Sequence, residues 1–417
     1  MKNNILLIPD SDYLSNPLFL ELAKVQNRNL QLIYLNPSIP LTKGSKKENF
    51  CSQDLISSFD QYEKFDDYYF DYFKDYLNKS IFNKFIAFPK FVTNFRNYIE
   101  KVFGSFEKLS PSAIVITSDK ALIGIIANHW AAKSETPVIV IQSAFLEIEK
   151  VSFFKKIKRF LIYLIMNRIL KLPFESKQHD YGHENKKNFV FIWGEYFQKN
   201  FKNDKIGERL RLTGNPLFDK YSKSDFTRSK LIDELADKKP VVSIFTTPYL
   251  DILNKAQEEE VAETYKHLIN GNPQWFFVLK IHPRQDTRFY ERLLESSKCA
   301  NYLITKTINI DEVFYSSDVQ ISMFSYTSFQ AVIAGTPIIM FKDEFINFHD
   351  SFNNEIELRA NNLSELEKSI SYAITPEFKE EFRRKRIKYL NSRIVAMDGK
   401  SSERVLHEIE KIVIKAN

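Results

Sequence analysis

Ala113-Ile114-Val115-Ile116, then the run Ala121 to Lys133, then Pro137-Val138-Ile139-Val140-Ile141 is the stretch that decides the fold. The two short, β-branched runs read as buried strands, and the apolar spacing between them reads as an amphipathic helix. Two strands joined by a helix imply a parallel pair, because parallel strands need a long crossover and a helix is the usual one. Ligands in such sheets bind beyond the carboxyl ends of the strands. Here those ends are Thr117-Ser118-Asp119 and Gln142-Ser143-Ala144.

The same rhythm extends in both directions. Upstream, Ile5-Leu6-Leu7-Ile8 and Leu30 to Leu35 read as strands around a helix. Phe59 to Phe106 is dense in aromatics at helical spacing and reads as two or three helices whose aromatic stripe is core. Downstream, Phe189 to Trp193 and Arg211 to Thr213 read as strands, and charged Lys220 to Lys239 reads as a linker. Strands are then expected at Val241 to Phe245, Trp275 to Ile281, Tyr302 to Ile304, Val319 to Met323 and Pro337 to Phe341, with helices between them. Helices are expected near Leu363 to Ala373 and from Pro376 onward, these final helices packing back across the domain interface. A chain of 417 residues suits two domains, placed at 1–220 and 221–417.

Composition narrows the function. With 44% hydrophobic and 27% charged residues the chain is globular rather than disordered. A net charge of +6 allows a basic patch against phosphate or anionic lipid and does not mark a nucleic-acid binder. Cys51 and Cys299 have neither metal nor redox spacing, and a reducing, cytoplasmic compartment is expected. There is no G-x-G-x-x-G, no G-x-S-x-G and no H-E-x-x-H. Gly399-Lys400-Ser401 resembles the end of a phosphate loop, but Ile394 stands where its first glycine belongs.

Three strand ends of the second half carry chemistry suited to a nucleotide's phosphates: Thr246-Thr247, Lys280-Ile281-His282-Pro283-Arg284 and Ser325-Tyr326-Thr327-Ser328. Cations supply charge, hydroxyls donate, and the next helix N-terminus adds a partial positive field. Pro283 fixes the turn that carries His282. Each piece also has a plain reading, since a Ser/Thr cluster ahead of a helix is an ordinary N-cap.

These residues, with Ser317-Asp318-Val319 and Ala334-Gly335-Thr336-Pro337-Ile338, resemble the C-terminal domain of a group of GT-B transferases. The group comprises bacterial sialyl-, polysialyl- and Kdo-transferases, CDP-glycerol glycerophosphotransferases and related capsule enzymes. Trp193-Gly194-Glu195, Thr213-Gly214-Asn215-Pro216 with Asp219, and Asp398-Gly399-Lys400-Ser401-Ser402 are similar to earlier and later parts of that group. The resemblance covers about residues 110 to 410 at the level of motifs. It implies an α/β GT-B fold of two facing Rossmann-like domains with a cleft between them, and an inverting, metal-independent sugar transfer in surface-glycan assembly. It implies that His282 contacts the donor phosphate and that Ser325, Thr327 and Ser328 surround the nucleotide. Asn215 joins the nucleotide-binding set on the same ground. Relatives that use UDP-sugars carry an acidic residue where this chain has Gln330, which points to a CMP-sugar of the sialic acid or Kdo type. No cofactor is expected beyond the nucleotide-sugar donor, and the acceptor is a glycan or is lipid-linked.

An inverting transfer needs a base for the acceptor hydroxyl. Asp119 has the position for it and is equally suited to capping a helix. Glu147 and Glu149 after the next strand, and Asp10 after the first, are the other candidates, while mid-helix His129 reads as packed or superficial. Residues 153–172 combine an apolar helical face with Lys155, Lys156, Lys158, Arg159, Arg168 and Lys171. They suit a helix lying on an anionic membrane, which would place the protein on the inner face of the plasma membrane, and equally a core helix with a solvated basic side. Rival functions are a teichoic-acid-type CDP-polyol phosphotransferase, a UDP-sugar 2-epimerase and a non-catalytic glycan- or nucleotide-binding protein. The epimerases carry a Gly-rich turn where this chain has Ser325-Tyr326-Thr327-Ser328.

Overall fold

The apolar strands form two all-parallel sheets in a computed structural model of the chain. It describes residues 2–9, 15–25, 29–37, 57–64, 67–143, 153–175, 188–201, 207–222, 227–246, 253–283, 285–297, 300–323, 326–345, 352 and 355–416. Two compact units result: Met1–Asp219 together with Arg393–Asn417, and Lys220–Ser392.

The first unit contains β1 (Asn3–Leu7), α1 (Ser15–Ala23), β2 (Leu30–Asn36), β3 (Gln61–Lys64), α2 (Asp67–Asn78) and α3 (Ile81–Leu109). It continues with β4 (Ala113–Ile116), α4 (Leu122–Ser134), β5 (Val138–Ile141), α5 (Phe153–Tyr163), β6 (Phe189–Ile192) and β7 (Leu210–Leu212). Its sheet runs β3-β2-β1-β4-β5-β6-β7. Every residue of β4 and β5 is buried, with Ile114 beside Val138, as expected of strands covered on both faces. Most of the described aromatic stretch is core, with Phe73, Phe91, Phe95 and Tyr98 buried and Phe174 meeting Phe91 and Phe95 edge-on, while Tyr68 and Phe82 are exposed.

The second unit contains α6 (Lys230–Ala236), β8 (Val241–Phe245), α7 (Lys255–Gly271), β9 (Phe276–Lys280), α8 (Thr287–Leu294), β10 (Tyr302–Thr305) and α9 (Ile310–Ser316). It is completed by β11 (Val319–Ser322), α10 (Tyr326–Ala334), β12 (Ile338–Phe341), β13 (Leu358–Ala360), α11 (Leu363–Ala373) and α12 (Pro376–Arg393). The sheet order is β10-β9-β8-β11-β12-β13. Segment 220–239, expected to be a linker, instead holds the end of a 3₁₀ turn and α6, whose Ile232 and Ala236 are buried. Its charges lie on the other side of a short amphipathic helix.

The last helix, α13 (Ser401–Ala416), belongs to the first unit. It contacts α1, and Arg211 of β7 meets Glu408 at 3.1 Å. Among the described residues no helix is long and apolar enough to cross a membrane.

Candidate functional site

Strand order locates the crevice of each sheet. In the second unit the chain starts at β8, proceeds outward through β9 and β10, and returns to the other side of β8 at β11. The loops after β8 and β11 therefore leave in opposite directions and open a topological switch point. Thr246 follows β8, and α10 starts behind β11, so the hydroxyl-bearing segments flank that point. In the first unit the switch lies between β1 and β4, which puts Asp119 beside it.

Thr246 is buried and organises the second edge. Its Oγ1 accepts the His282 N–H at 3.0 Å and bonds Gln285 Oε1. The His282 carbonyl accepts the Gln285 N–H at 2.9 Å, closing the turn over exposed Pro283 and leaving the half-buried imidazole at the strand end. Thr247, Arg284 and Ser325 lie outside the described residues.

Lys280 ends β9, and its Nζ donates to the carbonyls of Lys306 and Ile308 at 2.9 and 2.6 Å. Burial pushes its pKa down. Lys306, one residue past β10, donates from Nζ to the Gln285 carbonyl at 2.8 Å. Both cations are held by carbonyl dipoles and neither is cancelled by a carboxylate among the described residues. The acids nearby are matched instead. Asp311 accepts from Lys220 Nζ at 2.5 Å and Tyr221 OH at 2.6 Å, and bonding to Arg288 pulls exposed Asp286 down to about 2. Sequence reading missed Lys306, although the strand-end rule that selected Lys280 applies equally to the residue after Thr305.

Two other expected ligands have internal partners. Ser328 is fully buried, and its Oγ bonds Ser322 Oγ and accepts from Gln320 Nε2. Thr327, in the first turn of α10, is half-buried. Asn215 is buried in the first unit, where its Oδ1 accepts the Leu217 N–H at 3.0 Å.

Asp119 is fully buried at the first unit's switch point. Ser118 Oγ accepts the Lys120 and Ala121 N–H groups at 3.2 Å each, and the cap residue Ala121 brings no side-chain bond to α4. A β-carbon at Gly124 would lie 2.0 Å from the Ser118 carbonyl oxygen, so glycine there lets α4 press against the loop that carries Asp119. Glu147, Glu149 and Asp10 lie outside the described residues. His129 sits on an exposed part of α4, stacked on Phe103.

The remaining motifs converge in the first unit. Asp219 is buried, and its two carboxylate oxygens accept the N–H groups of Ser401 and Ser402 at 2.8 and 2.7 Å, capping α13. Arg404 donates to the Thr213 carbonyl at 2.9 Å and to Asp398 at 2.8 Å. Its hydrogen bond holds the Asp398 carboxyl below the usual range. Gly214 has φ +79°, and a β-carbon there would come 2.5 Å from Ser401 Oγ. Trp193 accepts the Val395 N–H at its carbonyl and donates its indole N–H to the Gln142 carbonyl at 2.6 Å. Motifs from three distant parts of the sequence thus form one latch on the returning C-terminal segment.

No family model and no curated protein sequence matches the chain. Solved structures do match it. A putative UDP-N-acetylglucosamine 2-epimerase from Listeria monocytogenes aligns with TM-score 0.61 at 13% identity, covering 98% of this chain and 96% of that one. A UDP-GlcNAc 2-epimerase from Neisseria meningitidis bound to UDP-GlcNAc gives 0.58 at 14%, covering 98% and 100%. A UDP-glucosyltransferase from Polygonum tinctorium gives 0.58 at 14%, covering 99% of each chain. The chain has the GT-B fold. Identities this low establish architecture and leave activity to be argued from the site.

Proposed function

We propose that the chain transfers a sugar from a nucleotide donor to a hydroxyl of a glycan or lipid-linked acceptor, without a metal ion. The observation that carries this reading is the pair Lys280 and Lys306 beside His282, held by backbone carbonyls and meeting no carboxylate among the described residues, at the switch edge of a parallel sheet. Cations so placed stabilise the phosphate charge that develops as the glycosidic C–O bond of the donor breaks. In the transfer the acceptor oxygen bonds the anomeric carbon, the nucleotide leaves with the bonding pair, and a base takes the acceptor proton. His282, Lys280, Thr327 and the α10 amides are assigned to the leaving phosphate. Asp119 is assigned as base, with Glu147 and Glu149 as alternates.

The donor assigned is a CMP-sugar. Gln330, in the acidic position of UDP-sugar enzymes, is buried on α10, and a CMP-sugar releases a monophosphate, which asks less neutralising charge than a diphosphate. The decisive experiment offers purified protein CMP-, CDP- and UDP-linked donors with EDTA present and measures nucleotide release and nucleotide affinity. CMP release that survives EDTA is the expected result. Absence of release and of binding with every donor rejects the transferase, and restoration by Mg²⁺ or Mn²⁺ rejects metal independence. The second reading is a sugar 2-epimerase, favoured by the solved structures of that name that share the fold. A C2 epimer formed from UDP-GlcNAc alone, with no acceptor, would establish it.

A further inference from the structure

The helix expected either to lie on a membrane or to be core turns its apolar side outward. Ile157, Phe160, Leu161, Leu164, Ile165 and Ile169 are all exposed, Phe160 at 63% and Ile169 at 66%. Their spacing of three and four residues sets them on one face of α5 and its continuation. That continuation, Leu164–Ile169, is wound with i→i+5 bonds, Leu170 N–H to the Ile165 carbonyl at 2.9 Å among them. The wider turn keeps Leu164 and Ile169, five apart, on the same side.

The opposite side is anchored. Met166 and Leu172 are buried, Asn167 bonds the backbone of Phe174 and Glu175, and Arg159 pairs with Glu175 at 3.5 Å. The element is therefore seated in the first unit, and it leaves six large apolar side chains uncovered. Lys156 and Lys158 are exposed on either flank of this face, Arg168 and Lys171 are exposed toward its end, and residues 150–174 contain no acidic residue.

We propose that this face docks on an anionic phospholipid bilayer, lying in the interface with its apolar side chains among the acyl chains. Long cationic side chains flanking an apolar face reach up to headgroups while their stems stay with the lipid. The charge also argues against a second copy as occupant, since pairing the same face on itself would bring like charges together without a counter-charge. Lipid attachment goes beyond the transferase reading and does not depend on it. Vesicles need no sugar donor, so either can fail alone.

The test is flotation of the full-length protein with neutral phosphatidylcholine vesicles and with vesicles containing phosphatidylglycerol, at low and high salt. Binding should be confined to anionic vesicles and fall at least about 10-fold at high salt, as for a few screened lysine contacts. Lys156→Ser/Lys158→Ser should weaken it by about 10-fold or more. Phe160→Ser/Leu161→Ser/Ile169→Ser should abolish it with a nearly unchanged melting temperature, because all three side chains are largely exposed already. In a Phe160→Trp variant the fluorescence added over wild type should be quenched by brominated acyl chains, locating the contact at this face rather than at another basic surface. Failure to float, binding indifferent to these substitutions, or added fluorescence that brominated chains leave unquenched overturns the proposal. So does a dimer in light scattering that the triple serine variant dissociates without any vesicle binding, which would assign the face to a second copy.

Discussion

His282 and Asp119 show how different two strand-end residues of one fold can be. The His282 backbone is fixed on both sides, by Thr246 and by Gln285, while its ring stays half-buried at an edge whose two lysines are held by backbone carbonyls. A phosphate contact there is charge-assisted, worth about 1.5–3 kcal/mol, so His282→Ala should weaken donor binding or turnover roughly 10- to 100-fold. Titration calorimetry with the donor nucleotide checks this, and an unchanged affinity in a folded variant refutes the contact. Asp119 is fully buried, and glycine at 124 is what lets the helix close over its loop. The residue types at both places were legible in the sequence because strand ends are. What Lys280 and Ser328 bond was not, since their partners belong to other strands and turns.

At the level of elements, the clearest dependence is that of α13 on Asp219, a residue 182 positions upstream of the first amide it caps. Helix N-terminal amides have no partner within their own helix, and a buried carboxylate meets two of them here. Asp219→Ala should cost about 1–2 kcal/mol in urea denaturation, and Asp219→Asn, which keeps one acceptor oxygen, about half as much. Equal losses in the two variants, or none, would show that the cap contributes nothing. The motif Asp398-Gly399-Lys400-Ser401-Ser402 was visible in the sequence as a resemblance, and its partner in the latch was not. Strands β3 and β13 were also missed. Gln61-Tyr62-Glu63-Lys64 and Leu358-Arg359-Ala360 carry too little apolar pattern to announce a strand, and each is an edge strand bonded on one side to an apolar neighbour.

For the molecule as a whole, alkali offers a test that touches both units. Tyr98 is fully buried in the first and donates to the Pro37 carbonyl at 2.8 Å. Tyr221, in the second, donates to Asp311. Burial pushes both hydroxyls well above the usual tyrosine value, and the Asp311 charge adds to it for Tyr221. A folded-state pKa raised in this way contributes stability that is complete below the unfolded value of about 10 and is lost as pH climbs toward the folded value. Urea midpoints should therefore hold steady to about pH 9 and then fall, and Tyr98→Phe with Tyr221→Phe should flatten the decline. An identical decline in the double variant would place the alkaline titration elsewhere.

The sequence by itself determined the parallel α/β architecture, the number of large units and the residue types at the sheet edges. Those features are local, because a buried parallel strand is a short continuous apolar run and its end lies where the run stops. Only the tertiary structure decided that Asp219 and Thr213 hold the returning segment 393–417, that Ser328 and Asn215 bond internally while Lys306 joins Lys280 at the strand ends, and that the apolar side of α5 faces water. Each of these depends on which distant groups reach a side chain first, and periodicity along one segment carries no information about its neighbours in space.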